Sequence, residues 1–319
     1  CDAGPSVVRA YPVTKSGAGY DAEIVDVLNG ASRDKWFRPS DVVTAPDGSL
    51  MVADWYDPGV GGHNMRDLER GRLFLVAPEG HKYKSSKVNV SGVDGAISAL
   101  KSPNEATRYL AWHALHGKGM KAESALRRMF GSSDPIQRSR ALWLLGKIEG
   151  RAKHYVDLAI NDKDPDIRIV GLRLARQSSG LDVLSFVEKL VSDPSAQVRR
   201  ECAIALRHEK TPRAAKLWAD LATRYDGKDR WYLEALGLAS DLNADACFEA
   251  WLAKVRGKWN TPAGRDLVWR VRAKAAPGYL VKILKDEKIP AESHPRYVRA
   301  LDFHSGPEKD KALESLLDI

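Results

Sequence analysis

A repeat of about 30 residues constrains this chain more than any other feature. Four times, a capping residue and a proline open an apolar stretch: Ser102-Pro103, Asp134-Pro135, Asp164-Pro165 and Asp193-Pro194. Ser or Asp at a helix start accepts from free backbone N–H groups, and Pro one position on forfeits no hydrogen bond. An arginine follows each, with a small residue three positions later: Arg108/Ala111, Arg138/Ala141, Arg168/Gly171 and Arg200/Ala203. The arginines lie 30, 30 and 32 residues apart. The apolar period is 3.6, and a helical unit of this length cannot bury its apolar face alone, so it must stack on its neighbours. Residues 91–319 are therefore expected to form an α-solenoid of about seven antiparallel helix pairs, the last ones irregular. The small residue lets helices approach closely. The arginine is expected to bond to a neighbouring repeat's carboxylate or helix end. Trp112, Trp143, Trp218, Trp231, Trp251, Trp259 and Trp269 fall in this part, and most of them read as core.

Residues 1–90 follow another period. Asp41–Ala45, Leu50–Ala53 and Arg72–Ala77 are short apolar runs. Ala45-Pro46-Asp47-Gly48 joins the first two, a tight-turn signature whose glycine tolerates positive φ. A long glycine-rich loop, Asp54–Gly71, joins the second and third. Strand, tight turn, strand, long loop, strand is the order of one β-propeller blade. Ser6–Val13 repeats the pattern around Arg72, and Tyr20–Leu28 reads as one outer strand of that earlier blade. The fold class expected is thus α+β multidomain: a partial β-propeller of about one and a half blades, then the helical repeats. A full propeller needs roughly four to eight blades. With Cys1 already inside a strand pattern, the expectation is a fragment of a longer protein, or a chain that pairs with a second polypeptide.

Charge separates the two parts. Residues 1–93 carry 11 Lys and Arg against 12 Asp and Glu, a net of −1, so the whole-chain +8 comes from a +9 excess in the remainder. The basic residues are spread along helices, as on a solvated face, and show no aromatic-interleaved cluster of the kind that binds nucleic acid. Cys1, Cys202 and Cys247 are scattered, without a CxxC or the CxxCH of covalent haem c. No run of about 18 apolar residues is present, as a transmembrane helix requires.

The loops of the strand part carry the candidate chemistry. In a propeller, Lys35–Ser40 and Asp54–Gly71 would open on one face and gather Trp36, Arg38, Asp54, Trp55, Asp57, His63 and Arg66, with Asp2 at the equivalent place in the neighbouring blade. Asp54, Asp57 and His63 are the candidate proton-transfer residues. Arg38, Trp55 and Arg66 are the candidates for holding an anionic cofactor. The structural alternatives are that Asp54 caps its own loop, that Arg38 pairs with Asp41 or Asp54, and that the tryptophans are packing.

The stretch WFRPSDVVTAPDGSLMVADWYDPGVGGH, with the following RGRLFLVAPEG, resembles the last blade of bacterial glucose/sorbosone dehydrogenase-like propellers. More narrowly, it is similar to the large secreted proteins described as membrane-bound dehydrogenases, which join such a propeller to HEAT repeats and often to a haem c domain. The resemblance covers residues 1–80 and continues more weakly through GKDRWYLEALGLA and RYVRALDFHSG. It implies a periplasmic or secreted quinoprotein-type sugar or alcohol dehydrogenase, with pyrroloquinoline quinone and calcium in the full-length protein. The implied partners are the missing blades and a haem domain. On this reading the HEAT repeats are scaffold and the chain alone is inactive. Two other readings compete: an interaction scaffold without catalysis, and a HEAT-like nucleic-acid binder.

Overall fold

The computed structural model describes residues 1–57, 69–85 and 87–317. Among these described residues seven strands come first: β1 Val7–Ala10, β2 Val13–Ser16, β3 Gly19–Ala22, β4 Val25–Asn29, β5 Pro39–Thr44, β6 Leu50–Asp54 and β7 Arg72–Val76. They make three small sheets, β1–β4, β2–β3 and β5–β6–β7, and none of them closes on itself. Ser6–Val13 and Tyr20–Leu28 were each expected as one strand, and each is two. Pro12 has no N–H to donate and breaks the first, while its carbonyl accepts from Glu23 N–H at 3.0 Å where the second breaks.

The three-stranded sheet follows its sequence closely. Gly48 in the β5–β6 turn has φ +92°, and its N–H donates to the Ala45 carbonyl at 2.9 Å. Val42, Val52 and Phe74 are cross-strand partners, and this row faces a core with Val8, Leu28, Phe37 and Val76. The adjacent row, Val43, Met51 and Leu75, faces away from it and is exposed.

Fifteen α-helices follow among the described residues. The first four are α1 Val93–Leu100, α2 Glu105–Lys118, α3 Glu123–Phe130 and α4 Pro135–Leu145. Next come α5 Ala152–Ile160, α6 Pro165–Arg176, α7 Val183–Leu190 and α8 Ala196–Ala205. Then come α9 Pro212–Ala222, α10 Arg230–Ser240, α11 Ala244–Val255 and α12 Pro262–Arg270. The last three, α13 Ala276–Leu284, α14 His294–Ala300 and α15 Pro307–Glu314, are short and interrupted by 3₁₀ turns.

Two compact units are present: Cys1–Lys15 with Tyr20–Glu149, and Ser16–Gly19 with Gly150–Ile319. Strands give way to helices between Val76 and Val93, so the units divide the chain elsewhere. In the first unit α1 packs on α2 and α3 on α4. In the second, α6, α8, α10, α12 and α14 pack each on the next, and α5, α7, α9 and α11 do likewise. Two layers of helices joined by short loops are what helical repeats require.

The repeat has one local geometry. Asn104, Asp134, Asp164 and Ser195 occupy the N-cap positions. Two residues earlier, Ser102, Ser132, Asp162 and Asp193 each accept from the cap residue's N–H at 3.1, 3.2, 2.9 and 2.8 Å. Four residues after each cap stands an arginine: Arg108, Arg138, Arg168 and Arg199. Arg108, Arg168 and Arg199 fold back onto the carbonyls five and six residues before them, and Arg138 donates to the Phe130 carbonyl at 3.1 Å.

Two details of the expected pattern are corrected by this geometry. Ser102 and Asp193 are not caps but acceptors for the cap N–H, because Pro103 and Pro194 precede the first helical turn. The fourth arginine of the series is Arg199, not Arg200. Asp193 is 8% exposed and instead takes Arg168 in two bonds of 2.7 and 2.8 Å, the carboxylate of the next repeat. Glu201, 1% exposed, likewise takes Arg173 and Arg176. The small residues do permit close approach: a Cβ on Gly171 would lie 2.7 Å from the Ala159 Cβ.

The tryptophans depart further from expectation, since only Trp218 and Trp251 of the seven are buried. A large indole is seldom covered on every side. Trp112 stacks on His116, Trp259 meets Tyr279 edge-on, and the Arg296 guanidinium lies 4.3 Å over Trp269.

Two outcomes are expected. Asp193→Ala leaves the Arg168 guanidinium buried without its carboxylate and should cost about 3–5 kcal/mol in denaturant unfolding, against about 1 kcal/mol for the cap variant Asp134→Ala. His304 is buried, its Nε2 has no hydrogen-bond partner among the described residues, and burial together with Arg272 and Lys309 pushes its pKa down to about 4. The unfolded chain therefore binds a proton that the folded one refuses between about pH 6.5 and 4. Stability should fall by roughly 2–3 kcal/mol as pH drops through that window, and His304→Leu should flatten this slope in melts recorded between pH 7 and 4.5.

Candidate functional site

The stretch 34–38 and the end of β6 lie side by side in the first unit. The ladder runs past β5, with Trp55 N–H donating to the Arg38 carbonyl at 2.9 Å and Asp57 N–H to the Trp36 carbonyl at 3.1 Å. Arg38, Asp54, Trp55 and Asp57 are therefore brought together, as the loop assignment anticipated. His63 and Arg66 lie outside the described residues.

Asp54 is the centre of the group. Its carboxylate is fully buried and holds four donors. Oδ1 accepts from Arg38 N–H at 2.7 Å and Tyr56 N–H at 2.9 Å. Oδ2 accepts from Arg72 Nε at 2.7 Å and pairs with Arg72 Nη2 at 2.6 Å. Asp54 and Arg72 are cross-strand partners of β6 and β7, the two ends of the long loop. The carboxylate ties β6 to the start of β7, and donors among the described residues occupy its lone pairs.

Arg72 is the residue that sequence reasoning missed. It also bonds Asp34 at 2.7 Å, and its guanidinium lies 4.1 Å over the Tyr56 ring. The Arg72 bond holds the Asp34 carboxyl below the usual carboxylate range. A signal was present, since Asp54 and Arg72 bracket a loop between antiparallel strands and opposite charges there fall face to face. Arg9 repeats the arrangement with Asp2 and Asp26, at 3.8 and 2.9 Å. The Asp2 carboxylate in this pair is exposed, and its backbone partner is Val7 rather than Arg9.

Arg38 turns inward. Its Nη1 donates to Ser6 Oγ at 2.6 Å and to the Phe37 carbonyl at 3.1 Å, and its Nε is buried without a partner among the described residues. It meets Asp54 through its backbone, not its guanidinium. Ser6 and Tyr56 are non-glycine residues at φ +60° and +53°. Both hold the sparsely populated left-handed conformation, which persists only where surroundings impose it. Trp55 is 60% exposed, Trp36 is 39% exposed, and Trp36 packs on Tyr56 at 5.6 Å between centroids.

These residues do not form an evident cofactor cradle. Among the described residues no three His, Cys, Asp or Glu side chains are grouped to hold a metal ion. Arg38 and Arg72 stand against Asp34, Asp54 and Asp57, a formal −1 that does not favour an anionic quinone. The Arg72 guanidinium is thus engaged by Asp34 and Asp54, and the described residues gather no net positive charge for an anionic quinone. A cavity of about 310 Å³ elsewhere in the first unit, lined by Pro46, Asn89, Ser98 and Asn104 among others, contains none of these side chains.

Residues 1–81 match a family model described as "Domain of unknown function (DUF7133)". No curated protein matches the chain. Among solved structures, the X-ray structure of YibA from E. coli aligns at 16% identity and TM-score 0.42, covering 74% of this chain and 93% of that one. A likeness of that size carries no functional information.

Asp54→Ala is expected to strip Arg72 of one carboxylate and orphan two backbone N–H groups. A loss of about 3–5 kcal/mol from the first unit should result, with Trp36 and Trp55 fluorescence shifting at lower denaturant. Arg72→Lys, which cannot make the two-carboxylate fork, should recover only part of it.

Proposed function

We propose that this chain is a non-catalytic scaffold segment. Its strand part supplies two successive sheets of a larger face-to-face stack, and its helical repeats serve as the support. One observation carries this reading. The inner face of β5–β7 packs on Val8 and Leu28 of the β1–β4 sheet, while Val43, Met51, Leu75 and Leu73 on the outer face are 53, 38, 49 and 73% exposed. A contiguous apolar sheet face in water marks an interaction surface. A further sheet, packed about 10 Å away, would cover it in the manner of successive propeller blades.

The resemblance to dehydrogenase propellers supplies the identity of that covering sheet. Any quinone-dependent oxidation of a sugar or alcohol belongs, on this reading, to blades beyond these residues, as does the implied periplasmic or secreted location. Asp54 supports the division of labour, because its carboxylate is spent on loop structure.

Val43→Glu with Leu75→Glu tests the docking face. In this chain alone the pair should leave unfolding free energy within about 0.5 kcal/mol and lower both hydrophobic-dye binding and self-association in sedimentation. In the longest natural polypeptide from the same gene it should cost several-fold more, and equal stability effects in both would overturn the reading. This chain mixed with pyrroloquinoline quinone, calcium and a panel of sugars and alcohols should reduce no dye. Turnover there would refute the non-catalytic half.

A further inference from the structure

We propose that α8 and α10 of the second unit form a binding site for a glycine-flanked tight turn, and that the chain fills it with its own Ser16–Gly19. The proposal is independent of the scaffold reading and uses different residues. Gly17-Ala18 is the turn between β2 and β3, and Ser16–Gly19 belongs to the second unit. Ala18 is 0% exposed.

The site reads main chain. Ala18 N–H donates to Asp229 Oδ2 at 2.6 Å, and its carbonyl accepts from Arg200 Nη1. The Gly19 carbonyl accepts from Gln197 Nε2 at 2.8 Å, and Gln197 is itself buried. Anion to N–H and cation to C=O are the stronger, charge-assisted kind of hydrogen bond. Asp229 is fixed in place by its own helix, since Oδ1 caps α10 through Tyr232 N–H at 3.0 Å. This also explains Arg200, which the repeat leaves unused because Arg199 takes the repeat's place.

Side chains are excluded at both flanks. Gly17 has φ +52°, and a Cβ there would lie 2.4 Å from Asp229 Oδ2. A Cβ on Gly19 would lie 2.0 Å from Trp231 Cδ1. The ligand class is therefore a β-hairpin whose turn reads Gly-small-Gly, recognised through its backbone as peptide-binding sheets and grooves recognise theirs. A hairpin of that kind on another chain would compete for the same groups.

The test uses the full chain and a fluorescein-labelled peptide of residues 13–22. The Gly17→Ala/Gly19→Ala chain, with its own turn expelled, should bind the peptide at least tenfold more tightly than wild type by fluorescence anisotropy. Adding Asp229→Asn, which still caps the helix, should weaken that binding tenfold or more, and a peptide carrying the two alanines should not bind. Equal binding to wild type and variant, or binding to neither, overturns the proposal. If the double variant does not fold, wild type decides: excess peptide should speed amide exchange at Ala18, and unchanged exchange overturns the proposal.

Discussion

A carboxylate withdrawn from water must be paired, and this chain is organised around places where that requirement is met. Asp54 is buried among Arg72 and two backbone N–H groups. Asp193 takes Arg168 across repeats, and Glu201 takes Arg173 and Arg176. Asp229 accepts from the Ala18 and Tyr232 amides. Asp54, Asp193 and Asp229 sit where regular hydrogen bonding stops, at a strand end or a helix start, while Glu201 takes its arginines from the middle of α8. Apolar periodicity decides which faces are buried. These acids decide where one element ends and the next is held.

The same fact explains how much was legible in the sequence. Periodicity and turn chemistry are local, so the change from strand to helix, the Pro46–Gly48 turn and the 30-residue repeat could be read directly. The cap positions were one step less legible. Ser102 and Asp193 look like caps because they precede a proline, yet the extended backbone a cap needs is reached two residues later. Arg199 and Arg200 are indistinguishable by composition, and only their helical phase assigns one to the repeat and the other to the turn. Partners distant in sequence were not legible at all: Arg200 and Ala18 are 182 residues apart. The candidate site sits between these cases. Asp54, Arg38, Trp55 and Asp57 were found together, but Arg72, which determines what Asp54 does, was passed over as the start of a strand.

A polar cluster at the mouth of a sheet invites a catalytic reading, and its described members Asp54 and Arg72 are paired with each other. A general base needs an accessible lone pair, and an anion site needs uncompensated positive charge. Asp54 has neither freedom nor exposure, and Arg72 faces two carboxylates. Among the described residues, the Val43–Met51–Leu75 row and the indoles of Trp36 and Trp55 are accessible apolar surface. Surfaces of that composition make contacts with other protein more readily than they make chemistry.

The cap geometry has a consequence for how such chains lengthen. In each of the four repeats the acceptor, the cap and the arginine span seven positions, 102–108, 132–138, 162–168 and 193–199. Repeat length varies, with the arginines 30, 30 and 31 apart, yet the extra residue falls between 168 and 193 and never inside a box. Insertions in this array are thus filtered by position. A residue added between boxes shifts a loop, whereas one added within a box would separate the arginine from the carbonyls it folds back on. The four copies in this chain differ in length between boxes while each keeps its seven-residue spacing.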